Sequence, residues 1–261
     1  ADDADDDGNG IVDGETDGDG TPDGNEGAGS ISVAGSAPAL LIGSNTQAIT
    51  LGVVGAGSLN YGLVLNGTIS AAGVYDDVST TGVRIGVGQD TILTNGMSVT
   101  GSISAVSYNA NVQAIHLGSG ANVATINIGG TVYGGMEPTS APLPNEDPFN
   151  VFGIRIDPGA TATSLINSGN ITAFVHGERS NAVAVWDGAG QINSVVNTGT
   201  IAALITASDD ADDTDDSDID PTNEQVVGLD IALDLRNNTT GVHILQYSPV
   251  GDSDGDGVLD T

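Results

Sequence analysis

Residues 153–173 read GIRIDPGATATSLINSGNITA, and residues 182–203 read AVAVWDGAGQINSVVNTGTIAA. In both segments a short strand of alternating apolar residues leads through a glycine-containing turn into a second strand, which reaches Asn167 or Asn197. A third strand follows each Asn-x-Gly triplet and closes the unit. Self-similarity at a period of about 30 residues indicates stacked supersecondary units rather than a globular core.

A third copy of the unit lies at 114–134 and reads AIHLGSGANVATINIGGTVYG, with Asn127 in the corresponding position. Weaker copies begin near Leu63, Val83 and Val227. Three short strands joined by tight corners form one coil of a parallel β-helix, whose stacked coils satisfy each other's backbone groups about 4.8 Å apart. The sequence therefore predicts an all-β fold, a right-handed parallel β-helix of about six to seven coils.

The asparagines of the repeat are predicted to stack at one corner of the β-helix. Asn167 and Asn197, with Asn66 and Asn95 as looser candidates, would form a ladder in which each amide bonds the amides above and below it. The glycine that follows would take a positive φ. We interpret these residues as structural.

The irregular insertions fall at one position of the unit, after its third strand and before the next first strand. They are residues 74–80, 106–111, 135–150, 174–181 and 204–224. Because equivalent positions of stacked coils project from the same edge, we expect one loop-bearing side, which is the predicted functional face. Its acidic residues are Asp76, Asp77, Glu146, Asp147, Glu178 and the run DDADDTDDSDID at 209–220. That run is interpreted either as a disordered acidic loop or as a calcium surface shared with another subunit.

The charge of the chain excludes several partners. The 261 residues carry 35 Asp plus Glu against four Arg, with no Lys and no Cys. Nucleic acid is not expected as a partner, because neutralising phosphates requires a basic surface. No apolar run reaches membrane-spanning length, and acidic segments are repelled by anionic lipid, so no direct membrane insertion is expected. Without cysteine, neither a disulfide framework nor a thiolate metal site can form.

Both termini carry the same acidic motif. Residues 5–13 read DDDGNGIVD, residues 15–23 read ETDGDGTPD and residues 252–260 read DSDGDGVLD. Oxygen ligands at alternate positions, followed by a glycine for the turn, are what Ca²⁺ requires. The predicted calcium ligands are Asp3, Asp5, Asp7, Asn9, Asp13, Glu15, Asp17, Asp19, Asp23, Asp252, Asp254, Asp256 and Asp260. Loops of this type suit millimolar calcium, so we expect an extracellular protein of a bacterial cell surface.

These motifs resemble two known groups of proteins. The NSGNI and NTGTI repeats, with ALDLRNNTTGVHI at 232–244, look like the passenger regions of bacterial autotransporters and related adhesins. That resemblance covers roughly residues 45–247 and rests on a pattern of short strands and turn residues that unrelated β-solenoids share. The terminal motifs resemble thrombospondin type 3 calcium repeats. The predicted domains are a calcium-binding segment at 1–27, a β-helix at 28–248 with its major insertions at 135–150 and 204–224, and a calcium-binding repeat at 249–261.

Catalytic chemistry is not indicated by the sequence. A glycoside hydrolase would need clustered carboxylates. Asp157 and Asp187 follow the first strand of adjacent coils and could face each other, but turn-forming Asp is the simpler interpretation. Trp186 and Tyr247 could be sugar-stacking surfaces, although single aromatic residues on a coil face more commonly serve as edge packing.

Three functions remain open at this point. The preferred hypothesis is a non-enzymatic structural protein whose modules join head to tail with other copies, through calcium-dependent junctions, into a filament, sheath or surface layer. The alternative is an adhesin segment whose loop-bearing side binds extracellular glycans or host surfaces. A polysaccharide-degrading β-helix enzyme is the remote alternative.

Overall fold

The computed structural model describes residues 29–136, 149–177, 179–206 and 228–247. Within them the chain is almost entirely β-strand, and the only helical element is a short 3-10 turn at Gly57–Leu59. Every strand pair is parallel. No helix in these ranges is long and apolar enough to cross a bilayer. The all-β, parallel-stranded architecture predicted from the repeat is confirmed.

The strands form four sheets, each built by stacking. Sheet 1 contains β1 (Ser30–Ala34), β5 (Thr68–Asp76), β9 (Ser102–Tyr108), β13 (Thr131–Met136), β16 (Asn170–His176) and β19 (Thr200–Thr206). Sheet 2 contains β2 (Leu40–Ile42), β6 (Thr80–Ile85), β10 (Val112–Leu117), β14 (Asn150–Ile156), β17 (Asn181–Asp187) and β20 (Asp230–Asp234). Sheet 3 contains β3 (Ile49–Leu51), β7 (Thr91–Leu93) and β11 (Ala121–Val123). Sheet 4 contains β4 (Leu63–Leu65), β8 (Met97–Val99), β12 (Thr125–Ile128), β15 (Ser164–Asn167), β18 (Ser194–Asn197) and β21 (His243–Gln246).

The chain visits these sheets in a fixed order, and we call each passage a circuit. Every circuit runs from sheet 1 to sheet 2 and ends in sheet 4, so that the next circuit stacks on the one before. This is a parallel β-solenoid. The first three circuits also contain a sheet 3 strand, which the three-strand unit expected from the sequence did not include. In the fourth circuit sheet 3 is reduced to a single bridge between Asn122 and Thr161.

Apolar side chains stack in columns inside the solenoid. In sheet 1 the register aligns Ile31, Ile69, Ile103, Val132, Ile171 and Ile201. In sheet 2 it aligns Leu40, Val83, Ile115, Ile154, Val185 and Leu233. Most of these residues belong to one continuous buried core. Period-two alternation along each strand therefore places the β-branched residues inward.

Glycines occupy the corner between sheet 4 and the next sheet 1 strand. A Cβ at Gly199 would overlap the carbonyl oxygen of Gly169, and a Cβ at Gly169 would overlap that of Gly130. Neither Gly169 nor Gly199 has a positive φ. The prediction of a positive φ in the Asn-x-Gly triplet was wrong. Glycine is required because the backbone of the preceding circuit lies where a side chain would be.

The connections between sheet 1 and sheet 2 contain the insertions. The 74–80, 106–111 and 174–181 segments overlap the ends of β5, β9 and β16, and each leads into a sheet 2 strand. Asp76 and Asp77 lie at this corner, Asp77 with φ 63°. Glu146, Asp147, Glu178 and the 209–220 run fall outside the described residues.

Candidate functional site

The predicted calcium ligands fall outside the part of the chain that the structure describes. They lie in residues 1–28 and 248–261. Among the described residues, no group of three or more His, Asp or Glu side chains could hold a metal ion. The calcium hypothesis therefore stays a prediction from the sequence motifs.

A column of charged and aromatic side chains runs along the outer face of sheet 2. The strand register aligns Leu41, Arg84, His116, Arg155, Trp186 and Asp234, one from each circuit. Arg236 lies two residues beyond Asp234 on the same side and is bonded to it. Three of the four arginines of the chain and its only tryptophan thus share one face. Apart from Asp234 and Arg236, these residues are 31 or more positions apart in the sequence, so only the register brings them together.

His116, Asp157 and Arg155 form a bonded group in the middle of this face. The His116 Nε2 lies 2.7 Å from Asp157 Oδ2, and Arg155 Nε donates to Asp157 Oδ1 at 2.7 Å. Burial lowers the pKa of His116, because it penalises the imidazolium form, and the neighbouring Arg84 and Arg155 act in the same direction. Burial opposes ionisation of Asp157, but the hydrogen bonds from His116 and Arg155 outweigh it and lower the pKa of that carboxyl. A neutral imidazole donating to a carboxylate is the consistent state.

Trp186 and Phe152 line a groove at the last three strands of sheet 2. Their ring centroids are 5.8 Å apart, and the Arg155 guanidinium carbon lies 5.5 Å from the Trp186 centroid. On the side of β20 is a cavity of about 210 Å³. It is lined by Asn150, Phe152, Asn181, Val183, Trp186, Leu229, Ile231, Asp234 and Arg236. The cavity therefore combines an aromatic and aliphatic wall with amide and charged groups.

Asp234 and Arg236 neutralise each other beside this groove. Arg236 donates from Nε and Nη2 to the Asp234 carboxylate at 2.9 and 2.7 Å. The Arg236 side chain is 70% exposed, whereas that of Asp234 is 3% exposed. The hydrogen bond from Arg236 lowers the pKa of Asp234. Three N–H groups of the guanidinium remain for another acceptor.

Asp157 and Asp187 do not face each other, contrary to the sequence-based alignment. The register places Asp187 opposite Ile156, so Asp187 points into the solenoid and is 1% exposed. Its oxygens accept the backbone N–H groups of Gly190 and Ile192, both at 2.9 Å. Asp187 is thus the turn-forming residue that was expected, whereas Asp157 serves the outer-face ion group.

The asparagine ladder exists but is short. Asn167 Nδ2 donates to Asn197 Oδ1 at 2.7 Å, and Asn197 Nδ2 donates to Gln246 Oε1 at 2.6 Å. Below Asn167 the same column contains Ile128, so the assignment of Asn127 to it was wrong by one residue. Asn66 follows the column position held by Leu65, and Asn95 lies in the turn before β8 with φ 61°. Neither extends the ladder.

The two ends of the described solenoid are apolar. Twelve large apolar side chains are exposed among the described residues, and nine of them belong to the first or the last circuit. The nine are Ile31, Leu41, Val53, Val54, Leu204, Leu229, Ile244, Leu245 and Tyr247. Ile31 and Ile244 continue inward columns that no further described circuit covers, whereas Leu41 belongs to the outer-face column of sheet 2.

No protein-family model, curated protein or solved structure matches the chain. The resemblance to adhesin passengers and thrombospondin type 3 repeats therefore rests on the motifs in the sequence alone.

Proposed function

We propose that this chain is a non-enzymatic structural module of the bacterial cell surface that joins end to end with other copies. The solenoid, which we take to be a right-handed β-helix of about six to seven coils, would form the rigid part of a filament, sheath or surface layer. Ca²⁺ held by residues 1–27 and 249–261 would stiffen the junctions. The observation that carries this proposal is the apolar character of both solenoid ends.

The interior columns offer matching partners at the two ends. A copy placed with its first circuit on the last circuit of another would set Ile31 on Ile201 and Leu40 on Leu233. In sheet 4 it would set Leu63 on Ile244. Each of these contacts continues an aliphatic column in the register used inside the solenoid. Burying them would remove apolar surface from water, at about 25 cal/mol per Å².

A cavity at the first end supports the same arrangement. It has a volume of about 280 Å³ and is lined mainly by β1, β4 and their neighbours, including Ile31, Leu65 and Asn66. Tyr247 occupies the corner position at the other end that corresponds to Asn66. Its backbone N–H donates to Asn197 O just as that of Thr100 donates to Leu65 O. In a stacked pair the exposed Tyr247 ring would lie beside this cavity.

Each end of the described solenoid has open strand edges that could pair with another copy. Within the described residues, β1, β2 and β4 at one end and β19, β20 and β21 at the other each have a single paired neighbour. Open edges pair readily with another strand. The predicted calcium ligands precede β1 and follow β21 in the sequence. Without calcium, acidic segments of neighbouring copies would repel each other.

The test compares assembly of two lysine variants. Ile244 and Val74 are similarly exposed, at 58% and 50%, but Val74 lies away from the ends. We expect Ile244→Lys to weaken association at least tenfold and Val74→Lys to leave it unchanged, measured by analytical ultracentrifugation and negative-stain electron microscopy. Equal association of both variants with the unsubstituted protein would show that the ends are not the interface.

Calcium dependence is tested separately on the unsubstituted protein. We expect assemblies formed in millimolar Ca²⁺ to dissociate when a chelator is added in excess, and to re-form when Ca²⁺ but not Mg²⁺ is restored. Assemblies that persist in chelator would contradict the calcium junction while leaving the end-to-end contact in place.

A further inference from the structure

We propose that the groove beside Trp186 binds a pyranose ring of a neutral extracellular polysaccharide. The proposal does not rest on the end-to-end assembly, although β20 on the border of the groove is an edge strand of the last circuit. The site lies on the outer face of sheet 2, not on the loop-bearing corner expected from the sequence. Its wall is formed by Trp186, Phe152 and Ile231, and its rim by Asn150 and the Asp234–Arg236 pair.

The tryptophan borders the cavity and is held in place by its neighbours. The Arg155 guanidinium carbon lies 5.5 Å from the Trp186 centroid, and the ring also packs against Gly188. Neither Arg155 nor Gly188 lines the cavity of about 210 Å³, which Trp186 shares with residues of β14 and β20. A pyranose has an apolar face of C–H groups, which packs on an aromatic ring, and hydroxyl groups around its edge that need hydrogen-bond partners. The groove provides both kinds of surface at once.

The rim has hydrogen-bond donors to spare. Asn181 Nδ2 donates to Asn150 Oδ1 at 3.0 Å, and no described residue accepts from the Asn150 amide nitrogen. Arg236 uses two of its five N–H groups on Asp234. These groups can bond sugar hydroxyl oxygens. Fixed polar groups around an apolar wall are typical of small-molecule sites.

The charge of the groove selects a neutral ligand. Asp234 compensates Arg236, and Asp157 compensates Arg155, so neither arginine offers an unpaired charge to a uronate. The chain as a whole carries a formal net charge of −31, which repels a polyanion. The cavity is also smaller than the roughly 300–1,000 Å³ of pockets for drug-sized ligands, so it fits one ring of a longer chain.

The single tryptophan provides a direct measurement. Because Trp186 is the only tryptophan, a ligand on its ring should change the intrinsic fluorescence of the full-length protein. We expect a saturable change with soluble neutral polysaccharides such as laminarin, galactomannan or xyloglucan, and none with polygalacturonate or alginate. No change with any neutral polysaccharide, or a change only with the acidic ones, would overturn the proposal.

A matched pair of surface variants locates the site. Leu229 borders the groove and Val74 lies on sheet 1 outside it, and the two are similarly exposed, at 52% and 50%. Leu229→Arg should weaken binding at least tenfold by blocking the groove, whereas Val74→Arg should leave it unchanged, as measured by affinity electrophoresis. Trp186→Ala should lose binding and Trp186→Phe should retain part of it, with circular dichroism to confirm folding. Equal binding by the two arginine variants would contradict this location.

The assembly-deficient Ile244→Lys variant separates this site from the proposed assembly. It should bind the neutral polysaccharide as the unsubstituted protein does, because Ile244 does not line the groove. If the assembly tests fail, polysaccharide binding beside Trp186 is still expected. If polysaccharide binding fails, the proposal of end-to-end assembly still stands.

Discussion

The first three circuits, residues 30–128, and the last three, residues 131–246, build the same solenoid with different interiors. The first half has four strands per circuit, and its sheet 4 column is aliphatic, with Leu65, Val99 and Ile128. The second half has three strands per circuit among the residues that the structure describes, and the same column continues as Asn167, Asn197 and Gln246. Polar side chains therefore enter the interior where backbone or amide partners are available for them.

The loss of sheet 3 explains one of these polar residues. In the first half, the turn after sheet 2 is paired with the turn above it through β3, β7 and β11. In the fifth circuit no sheet 3 strand is present, and the Asp187 carboxylate accepts the N–H groups of Gly190 and Ile192 instead. One buried side chain thus replaces hydrogen bonds that a neighbouring strand provides elsewhere.

The largest effect is expected from removing that replacement. Asp187→Ala would leave the buried Ile192 N–H unpaired and the Gly190 N–H with only its 3.4 Å bond to the Asp187 carbonyl oxygen, so we expect a loss of about 2–3 kcal/mol in the free energy of unfolding. Urea unfolding followed by circular dichroism measures it. Asp230→Ala is the control, because Asp230 is exposed in β20, and should stay within about 0.5 kcal/mol. Similar losses in both variants would show that Asp187 does not replace the missing strand.

A smaller effect is expected when the asparagine column is converted to the aliphatic form. Asn197→Leu alone should cost about 1 kcal/mol, because the Asn167 amide loses its shortest hydrogen bond and keeps only those to Gly169 O and Thr200 O. Adding Asn167→Leu should recover part of this loss, since the column would then continue the Ile128 pattern of the first half. Denaturation midpoints of the unsubstituted protein, the two single variants and the double variant give a double-mutant cycle. If the loss of stability in the double variant equals the sum of the losses in the two single variants, the two amides are independent.

The fold was predictable because its signal repeats. Apolar alternation recurs in every circuit, and the Asn-x-Gly triplets mark a corner where glycines of adjacent circuits touch. Sheet 3 was not predictable, because strands of three residues such as Thr91–Leu93 are too short to show a period. The turn at 188–193 is also one residue shorter than the turn at 157–163, which shifted Asp187 inward relative to Asp157.

The outer-face groove could not be found from the sequence for the same reason. Phe152, Trp186 and Asp234 come from three different circuits, and a shift of one residue in any register would turn one of them inward. Trp186 was considered as a sugar-stacking surface, but its partners depend on the pairing of β14, β17 and β20. The sequence shows the residue type at each position of the repeat. Which side chains become neighbours in the site depends on the strand register.

The smallest expected effect lies at the seam between the halves, where His116 of the third circuit bonds Asp157 of the fourth. The pKa of His116 is below its ordinary value of 6.5, mainly through burial, so the unfolded chain takes up this proton at a higher pH than the folded protein. Stability should therefore be constant above about pH 6.5 and fall as the pH is lowered to 5, toward the folded pKa. His116→Gln should flatten this part of the profile, whereas His243→Gln, at an exposed position of β21, should not. The measurement is the urea midpoint at pH 7.5 and at pH 5 for the unsubstituted protein and the two variants. If the midpoint falls by the same amount in all three, the neutral form of His116 does not link the two halves.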